Sequence, residues 1–279
     1  MFENILPLYG LNSDKATVKL FGDGLINHTW KVTTDTQNYI LQKVNNEVFK
    51  MPKDIDRNIS LIKQYLDVEY PNYLFVSPVS DLNGHSLLDT DTGYYRMFPF
   101  IEGSTSLNSL TNKEEAYEAA KQFGKFSKIL AGFDATQLGI TIPDFHNLKL
   151  RYTQFQIACK NASEERLEKA KDSIIFITEH KGIVDTYTNI VVNNEIPLRV
   201  IHHDTKINNV LFDKKNNGLC VIDLDTVMPG YFISDVGDMM RTYLAEASEE
   251  ETDLSKISIR KEFYTAIFDG DMEEMKDVL

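Results

Sequence analysis

A run of polar residues in the last third of the chain has the composition and spacing needed for phosphoryl transfer. The run is His202-His203-Asp204-Thr205-Lys206-Ile207-Asn208-Asn209, and it matches the pattern H-x-D-x-K-x-x-N. Phosphoryl transfer requires a carboxylate to orient the attacking hydroxyl, oxygen ligands for magnesium and cations against the developing charge. Asp204 would orient the hydroxyl, and Lys206 would reach the transferred phosphate. These two residues are the predicted catalytic residues.

The same region offers oxygen ligands for Mg²⁺, which prefers hard oxygen donors and often takes only one or two carboxylates beside phosphate oxygens. Asn209 supplies an amide oxygen, and Asp223 supplies a carboxylate after the apolar pair Val221-Ile222. Asp225 is the third predicted ligand, for a second magnesium, or it caps the following turn. Each residue alone is typical of an ordinary turn or cap, but their joint order follows the kinase signature.

The first hundred residues would then hold the nucleotide, with ATP as co-substrate. Glycines between Phe21 and Thr29 could let backbone N–H groups approach phosphates, although paired glycines also mark an ordinary hairpin. A lysine on the third predicted strand is placed to hold phosphates, or it faces solvent on an edge strand. The predicted nucleotide-binding residues are Gly22, Gly24, Asn27, Thr29, Lys43, Phe98, Phe100 and Ile101.

Two further features belong to this nucleotide site. The segment 95–103 is typical of a connector where adenine would bond to main chain between apolar walls, and its alternative is a plain strand end. The kinase pattern also pairs the strand lysine with a helical glutamate. Here the helix offers Asp54, Asp56 or Asn58 instead, which predicts a clamp of different construction.

The elements that position these residues change in hydrophobic period near residue 100. β-type segments are predicted at 17–21, 28–33, 39–44, 75–79, 86–88 and 93–100, with one amphipathic helix at 52–66. Helices are predicted at 113–133, 164–179, 183–192, 236–247 and 257–268, with strands at 198–201 and 219–222. We therefore predict an α+β, protein-kinase-like fold of two lobes. A small antiparallel β-sheet lobe with one helix covers 1–100, and a larger, mainly helical lobe with the catalytic loop covers 101–279.

Composition excludes several other classes. A net charge of -13 and a pI near 4.9 argue against a nucleic-acid partner, which would require a surplus of Lys and Arg. No run approaches the roughly 18 apolar residues of a spanning helix, and the N-terminus has no signal-peptide pattern, so we expect no membrane partner and a cytoplasmic location. Cys159 and Cys220 indicate neither a disulfide framework nor a C-x-x-C metal site.

These motifs resemble the aminoglycoside phosphotransferase superfamily of small-molecule kinases, which includes choline and homoserine kinases. Its members carry H-x-D-x-x-x-x-N followed by I-D-x-[DE], matched here by His202, Asp204, Asn209 and by Ile222-Asp223-Leu224-Asp225. Unlike protein kinases, the chain has no Phe-Gly pair after Asp223 and no segment that ends in Ala-Pro-Glu.

Within that superfamily the sequence is most similar to N-acetylhexosamine 1-kinases, through residues 40–45, 98–103, 204–210 and 221–230. The resemblance implies magnesium-dependent transfer from ATP to the anomeric hydroxyl of N-acetylglucosamine or N-acetylgalactosamine. Enzymes of this kind continue for several more helices, so we expect part of the helical lobe and of the sugar pocket to be missing. Residues 234–238 resemble a structural segment of the family, in which Asp235 would cap the next helix and brace the catalytic loop.

Two alternatives remain open at this point. The acceptor could instead be choline, homoserine or an aminoglycoside, and a polycationic aminoglycoside would suit the acidic surface. Alternatively, the chain is a kinase-like binding module without catalysis, although its retention of Asp204, Lys206, Asn209 and Asp223 argues against this.

Overall fold

The computed structural model describes residues 2–22, 26–247 and 251–279. Its first part contains a five-stranded antiparallel sheet with the strand order β1-β2-β3-β5-β4. Together with the helices that follow, this sheet confirms the predicted α+β class. The strands are β1 (Thr17–Leu20), β2 (His28–Thr33), β3 (Asn38–Lys43), β4 (Leu88–Thr90) and β5 (Gly93–Pro99).

One face of this sheet is apolar and carries the core of the first part. The buried side chains Val32, Leu41, Tyr95 and Met97 lie on it, because residues two apart on a strand share a face. A short N-terminal helix, α1 (Phe2–Ile5), packs against this cluster through Ile5. The other face carries the polar side chains Thr29, Gln42 and Arg96 together with the apolar Ile40 and Phe98.

Helix α2 (Pro52–Glu69) follows the third strand, as the apolar periodicity predicts. Proline is tolerated at its start because the first N–H groups of a helix have no intrahelical partner. Ile55, Ile59, Ile62 and Leu66 are buried along one face of the helix. The predicted helix therefore forms, and it extends three residues beyond the predicted end at residue 66.

Two long helices, α3 (Lys113–Ile129) and α9 (Lys261–Met275), pack closely against each other. The side chain of Asn112 caps α3 by accepting from the Glu115 N–H at 2.9 Å. Glycine allows the close approach, because a Cβ on Gly124 would lie 2.9 Å from the Asp271 carbonyl oxygen. A Cβ on Gly270 would meet the Tyr117 carbonyl oxygen.

Two small sheets and one helix hold the polar run of the sequence analysis. Strand β6 (Arg199–Ile201) pairs with β9 (Met228–Gly230), and β7 (Val210–Phe212) pairs with β8 (Gly218–Val221). A short 3₁₀ turn at Ile207–Asn209 ends the catalytic loop, and a second one at Leu224–Thr226 comes after strand β8. Helix α8 (Phe232–Tyr243) comes next.

Contacts divide the chain into two compact units, one of residues 1–141 with 199–279 and one of residues 142–198. The second unit holds four helices. The lobe boundary predicted at residue 100 stays a prediction, because the sheet and the catalytic segment belong to the same unit. The helices are α4 (Leu148–Asn161), α5 (Glu164–Lys169), α6 (Lys171–Glu179) and α7 (Lys181–Val192).

Several predicted elements differ from the structure. Residues 75–79 form no strand apart from an isolated bridge at Val79, since Pro78 removes a backbone donor from the ladder. The helix predicted over 164–179 is two helices that meet at Ala170, and α4 was not predicted. The last helix begins after Arg260, because Ile259 pairs with Ala245 in a β-bridge. No described helix is both long and apolar enough to cross a membrane.

Candidate active site

The catalytic loop between β6 and β7 joins the two most important predicted residues. The amide Nδ2 of Asn209 donates to the backbone oxygen of Asp204 at 2.9 Å and to its carboxylate Oδ2 at 3.1 Å. These bonds fix the loop conformation and use the amide nitrogen of Asn209. The atom of this side chain predicted to bind magnesium is therefore its Oδ1. The Asp204 carboxylate and the Asn209 carboxamide therefore lie side by side.

Strand β8 brings Asp223 to the same place. The N–H of Ile222 donates to the carbonyl oxygen of Asn209 at 2.8 Å, which ties the end of β8 to the catalytic loop. Asp223 adopts the left-handed conformation (φ 60°, ψ 65°), which is uncommon for a residue other than glycine. Such backbone strain is typical of functional positions and is held here by the surrounding bonds.

The charges around Asp223 show that several acidic side chains meet there. Removal from bulk water raises the pKa of Asp223 to about 7, and the negative charges of Asp225 and Asp204 add to this. Arg96 and Lys206 act in the opposite direction. Asp223 is exposed at the surface of the site, so water offsets part of this effect. A carboxylate in such surroundings favours a nearby cation, because a cation stabilises its ionised form.

Lys206 lies where the sequence predicts it, beside Asp204. Its Nζ is 3.5 Å from the Asp204 Oδ1, and both side chains keep partial solvent access. An ion pair of this exposure contributes little to stability. Its value to the site is to keep a cation near the predicted catalytic carboxylate.

Buried residues behind the loop hold its backbone in place. Asp235 on α8 accepts from the N–H groups of His202 at 2.8 Å and His203 at 2.7 Å. Asp238, one turn later, accepts from the Thr205 N–H at 2.8 Å. The predicted bracing role of Asp235 matches these bonds, but the predicted capping role is wrong, because α8 begins three residues earlier, at Phe232.

His202 braces the loop in a neutral form. Burial lowers the pKa of this histidine, and its ring packs edge-on against Phe123 with the ring centroids 5.2 Å apart. The Nε2 lies 2.9 Å from the Ile222 carbonyl oxygen, which only accepts, so Nε2 carries the proton. The bond joins the loop to the end of β8 and thus stabilises the meeting of Asp204 with Asp223.

Asp225 makes the connection to the sheet. Its Oδ1 lies 2.5 Å from the Nη2 of Arg96 on β5, and both side chains are almost completely buried. Its Oδ2 accepts from the Nδ2 of Asn27 at 2.8 Å, across 198 residues of sequence. Asn27 was predicted to bind nucleotide, and the structure places it against the predicted metal-binding turn, so its contact with nucleotide stays a prediction.

A row of polar side chains crosses the sheet towards Asp225. The strand register places Thr29, Gln42 and Arg96 opposite one another on the face away from the core. Gln42 donates to the Thr29 hydroxyl at 3.2 Å and accepts from the Arg96 Nε at 3.1 Å. Sequence reasoning missed both Gln42 and Arg96. The available signal was an arginine within the apolar run 94–100.

Lys43 does not join this row. It lies on the same face as Leu41, and its Nζ is 5.7 Å from the centroid of the Tyr95 ring. The structure thus places Arg96, and not Lys43, beside the acidic residues, because neighbouring residues on a strand point to opposite faces. The predicted contact of Lys43 with phosphate stays a prediction that this geometry does not support.

The candidate helical partners of that lysine are used elsewhere. Asp56 accepts from the Ser86 hydroxyl at 2.5 Å, and Asp54 lies against Gly139. The buried Asn58 donates to the Gly139 carbonyl at 2.8 Å and to the Val227 carbonyl at 3.0 Å. Helix α2 therefore anchors the segment after the Asp223 turn.

The remaining nucleotide-binding predictions lie at the two ends of the sheet. Gly22 has φ 75°, and an added Cβ would meet no atom of the described residues within 4 Å, while Gly24 lies outside those residues. At the other end, Arg96 stacks on Phe98, with Cζ 5.1 Å from the ring centroid, and the Lys31 Nζ lies 3.5 Å from the centroid of Phe100. The carbonyl oxygen of Ile101 accepts from the Ser104 N–H and hydroxyl.

The donor set of the site fits magnesium better than a metal held by protein alone. Within residues 2–22, 26–247 and 251–279, no group of three or more His, Cys, Asp or Glu side chains could hold a metal ion. The oxygens of Asn209 and Asp223 remain, together with Asp225 if it leaves its partners. Magnesium commonly uses one or two carboxylates and completes its shell with phosphate oxygens and water.

Comparison with known proteins identifies the class. The profile of the phosphotransferase enzyme family (APH) matches residues 17–258. The protein belongs to this family, which confirms the superfamily and the kinase-like fold predicted from the sequence.

Solved structures share the fold at low sequence identity. A spectinomycin phosphotransferase, crystallised with ADP and spectinomycin, has 16% identity and a TM-score of 0.53 over 96% of this chain and 79% of its own. A microcompartment-associated aminopropanol kinase has 16% identity and a TM-score of 0.64 over 98% of this chain and 80% of its own. A choline kinase from Cryptosporidium parvum has 15% identity and a TM-score of 0.58 over 99% and 80%.

Proposed function

We propose that the protein transfers the γ-phosphoryl group of ATP to the anomeric 1-hydroxyl of N-acetylglucosamine or N-acetylgalactosamine. The proposal is carried by one observation, the joining of Asp204 and Asn209 to the turn of Asp223 by hydrogen bonds. A carboxylate for the acceptor hydroxyl thus lies next to oxygens suited to a magnesium-bound triphosphate. We further propose that the reaction takes place in the cytoplasm, where ATP and magnesium are abundant.

Two residues of the loop each have one task in the catalytic step. Asp204 accepts a hydrogen bond from the acceptor hydroxyl and receives its proton as the oxygen attacks the γ-phosphorus in line with the leaving ADP oxygen. Lys206, beside Asp204, neutralises charge that develops on the transferred phosphoryl group. Because little covalent chemistry is required of the protein, positioning supplies most of the rate enhancement.

Magnesium would be held by the Oδ1 of Asn209 and the carboxylate of Asp223. When bound, it would screen the negative charge of the β- and γ-phosphate oxygens. The exposure of Asp223 in an otherwise buried turn fits this task, because the carboxylate can face a ligand. Asp225 as a second ligand stays a prediction.

The nucleotide would lie along the polar face of the sheet. Phe98 and Phe100 at the end of β5 offer apolar rings for a purine, and Asn27, before β2, contacts Asp225. ATP as co-substrate is also supported by the ADP complex of the spectinomycin phosphotransferase that shares the fold. Gly22 and Thr29 remain proposed phosphate contacts.

The choice of acceptor rests on the similarity of four motifs to N-acetylhexosamine 1-kinases. The main competitors are cationic acceptors, which the net charge of -13 favours. Structures with the same fold include kinases of amino alcohols, by their own names. A neutral amino sugar and a cationic amino alcohol therefore define the two acceptor classes to be compared.

A panel of acceptors tests the proposal directly. The purified protein is incubated with ATP, MgCl₂ and one acceptor from a set of N-acetylhexosamines, choline, aminopropanol, homoserine and an aminoglycoside, and ADP release is measured. We expect turnover with an N-acetylhexosamine and a product whose ³¹P spectrum shows coupling to the anomeric proton. Turnover with a cationic acceptor alone would overturn the sugar assignment, and a lack of turnover with every acceptor would support a binding module.

A further inference from the structure

We propose that Asn27, Arg96 and Asp225 form a polar clamp that couples the binding of nucleotide to the binding of magnesium. The inference rests on the proposed function and gives Asp225 a positioning role instead of the ligand role predicted from the sequence. Arg96 would act on the magnesium site through Asp225 without touching the metal or the substrate.

Two of the three clamp residues, Arg96 and Asp225, are buried charged side chains. Arg96 is 3% exposed and Asp225 is 1% exposed. A buried ion is strongly unfavourable unless a partner of opposite charge and hydrogen bonds compensate it. Here Arg96 contacts one carboxylate oxygen of Asp225, and Asn27 contacts the other. The Oδ2 therefore has a hydrogen bond and the Oδ1 an ionic contact, both of which a metal bound to Asp225 would have to displace.

The position of Asp225 determines the position of Asp223. The two residues flank Leu224 at the start of the short turn Leu224–Thr226. Thr226, at the other end, donates its hydroxyl to the His202 carbonyl oxygen at 2.7 Å. The turn is thus held to the catalytic loop through Thr226 and to the sheet through Asp225. A shift of Asp225 would carry Asp223 away from Asn209.

The nucleotide side of the clamp is Asn27, the residue directly before β2. Its carboxamide donates to Asp225, and its Oδ1 accepts from the Asn45 N–H at 3.0 Å. Asn45 in turn donates its side-chain amide to the Ile26 carbonyl oxygen at 3.1 Å. A nucleotide that fixes Asn27 and a metal that binds Asp223 would favour one common arrangement. Two ligands that favour the same arrangement bind with positive coupling.

Calorimetry of ADP binding with and without MgCl₂ measures this coupling without turnover. The readout is the ratio of the ADP dissociation constant without MgCl₂ to the ADP dissociation constant with MgCl₂. We expect Arg96→Met and Asn27→Ala each to lower this ratio by about tenfold, within the usual range of coupling between sites. For Arg96→Met, the affinity for ADP without magnesium should change less than about threefold, since coupling requires both ligands.

A matched control separates positioning from a general loss of stability. Arg260 is also partly buried and also anchors its segment, through bonds to the Leu110 and Tyr243 carbonyl oxygens. Arg260→Met should lower the melting temperature and leave the magnesium ratio unchanged. If Arg96→Met leaves the ratio unchanged, or if it weakens ADP equally with and without magnesium, the clamp is wrong.

A double-mutant cycle shows whether Arg96 acts through Asp225. The ratio is measured for Arg96→Met, Asp225→Asn and the double variant. We expect the double variant to resemble Asp225→Asn, because residues that act through one contact are not additive. Additive losses would instead mean that Arg96 acts on the nucleotide itself. Arg96→Lys keeps the charge opposite Asp225 and should retain more of the ratio than Arg96→Met.

The outcomes for the wild-type protein distinguish this inference from the proposed function. Wild-type protein that binds no ADP at all would overturn the proposed function. Wild-type protein with a magnesium-dependent gain in affinity, together with variants that keep the same gain, would overturn only the clamp. Asn27→Ala serves if the Arg96 variants do not fold, since Asn27 lies directly before β2, outside the strands of the sheet.

Discussion

Asp204 is the residue whose replacement separates catalysis from binding. Asp204→Asn retains the shape of the side chain and an oxygen for the Asn209 amide, but it removes the group that takes the proton of the acceptor. We expect kcat to fall by about 100-fold or more, the usual contribution of a general base. The dissociation constant of Mg-ADP should stay nearly unchanged, because the Asp204 carboxylate contacts the acceptor hydroxyl and does not hold the nucleotide. Steady-state kinetics and calorimetry measure the two quantities.

Asp35→Asn is the matched control for this substitution. Asp35 is exposed in the turn between β2 and β3, away from the catalytic loop, and the same chemical change there should leave kcat unaltered. An Asp204→Asn protein that turns over at the wild-type rate would contradict the assigned role. A protein that loses nucleotide binding together with turnover would show that Asp204 has a structural task.

At the scale of residues, local motifs were predictable and long-range pairs were not. Asp204 and Asn209 lie within one short loop, so their spacing in sequence already restricts their distance in space. Arg96 meets Asp225 only through the fold, and neither residue alone indicates the other. The face of Lys43 could have been predicted. It shares a face with Leu41, and Leu41 is fully buried in the core.

The pairing of α3 with α9 depends on a glycine at the point of contact. A Cβ on Gly270 would meet the backbone oxygen of Tyr117, which cannot move without distorting α3. Gly270→Ala should therefore destabilise the protein by about 1 to 2 kcal/mol, as overpacking costs about 1 to 3 kcal/mol and the better helix propensity of alanine returns part of it. Urea denaturation measures this free energy of unfolding.

Gly237→Ala in α8 is the control for the effect of alanine on a helix. No atom lies within 4 Å of a Cβ at Gly237, which is exposed on its helix. This variant should be unchanged or more stable by up to about 1 kcal/mol. If Gly270→Ala also proves neutral or stabilising, then α3 and α9 do not pack as closely as described.

At the scale of elements, periodicity found the strands of the five-stranded sheet and most of the long helices, but it missed β7 and β9. Strands β1 to β3 and helices α2 and α3 lie within a few residues of their predicted positions, because one face of each is buried and leaves a regular apolar pattern. Helix α4 was missed because its apolar residues do not gather on one face and none is buried. Helix α4 thus offered little of the signal on which periodicity depends, whereas α6 and α7 in the same unit were found.

The stability of the whole molecule should depend on pH through Asp271. Burial raises the pKa of this carboxyl from 3.8 to about 6. A raised carboxyl pKa means that the folded protein binds the proton more tightly than the unfolded chain, so stability is lost as pH rises from about 4 to 6. Asp271→Asn removes this loss. We expect the variant to equal the wild type near pH 4 and to exceed it by up to about 3 kcal/mol at pH 7.

Thermal denaturation from pH 4 to pH 7.5 measures this difference. Burial is the main cause that raises the pKa of Asp235 to about 7, and the charge of Asp271 adds a little to it, so the variant should lower that pKa slightly and gain stability in the same direction. A difference between variant and wild type that does not grow with pH would contradict the burial of an ionisable carboxyl at residue 271.

The acidic charge of the whole molecule distinguishes the acceptor classes by their dependence on salt. A net charge of -13 attracts a cationic acceptor at long range, and this attraction is screened as the Debye length falls from about 30 Å at 0.01 M salt to about 8 Å at 0.15 M. A neutral N-acetylhexosamine feels no such attraction. With Mg-ATP held at saturation, we expect kcat/KM for the sugar to stay nearly constant over this range. A native acceptor whose kcat/KM falls several-fold as salt rises would be cationic, and the acidic surface would then belong to substrate capture.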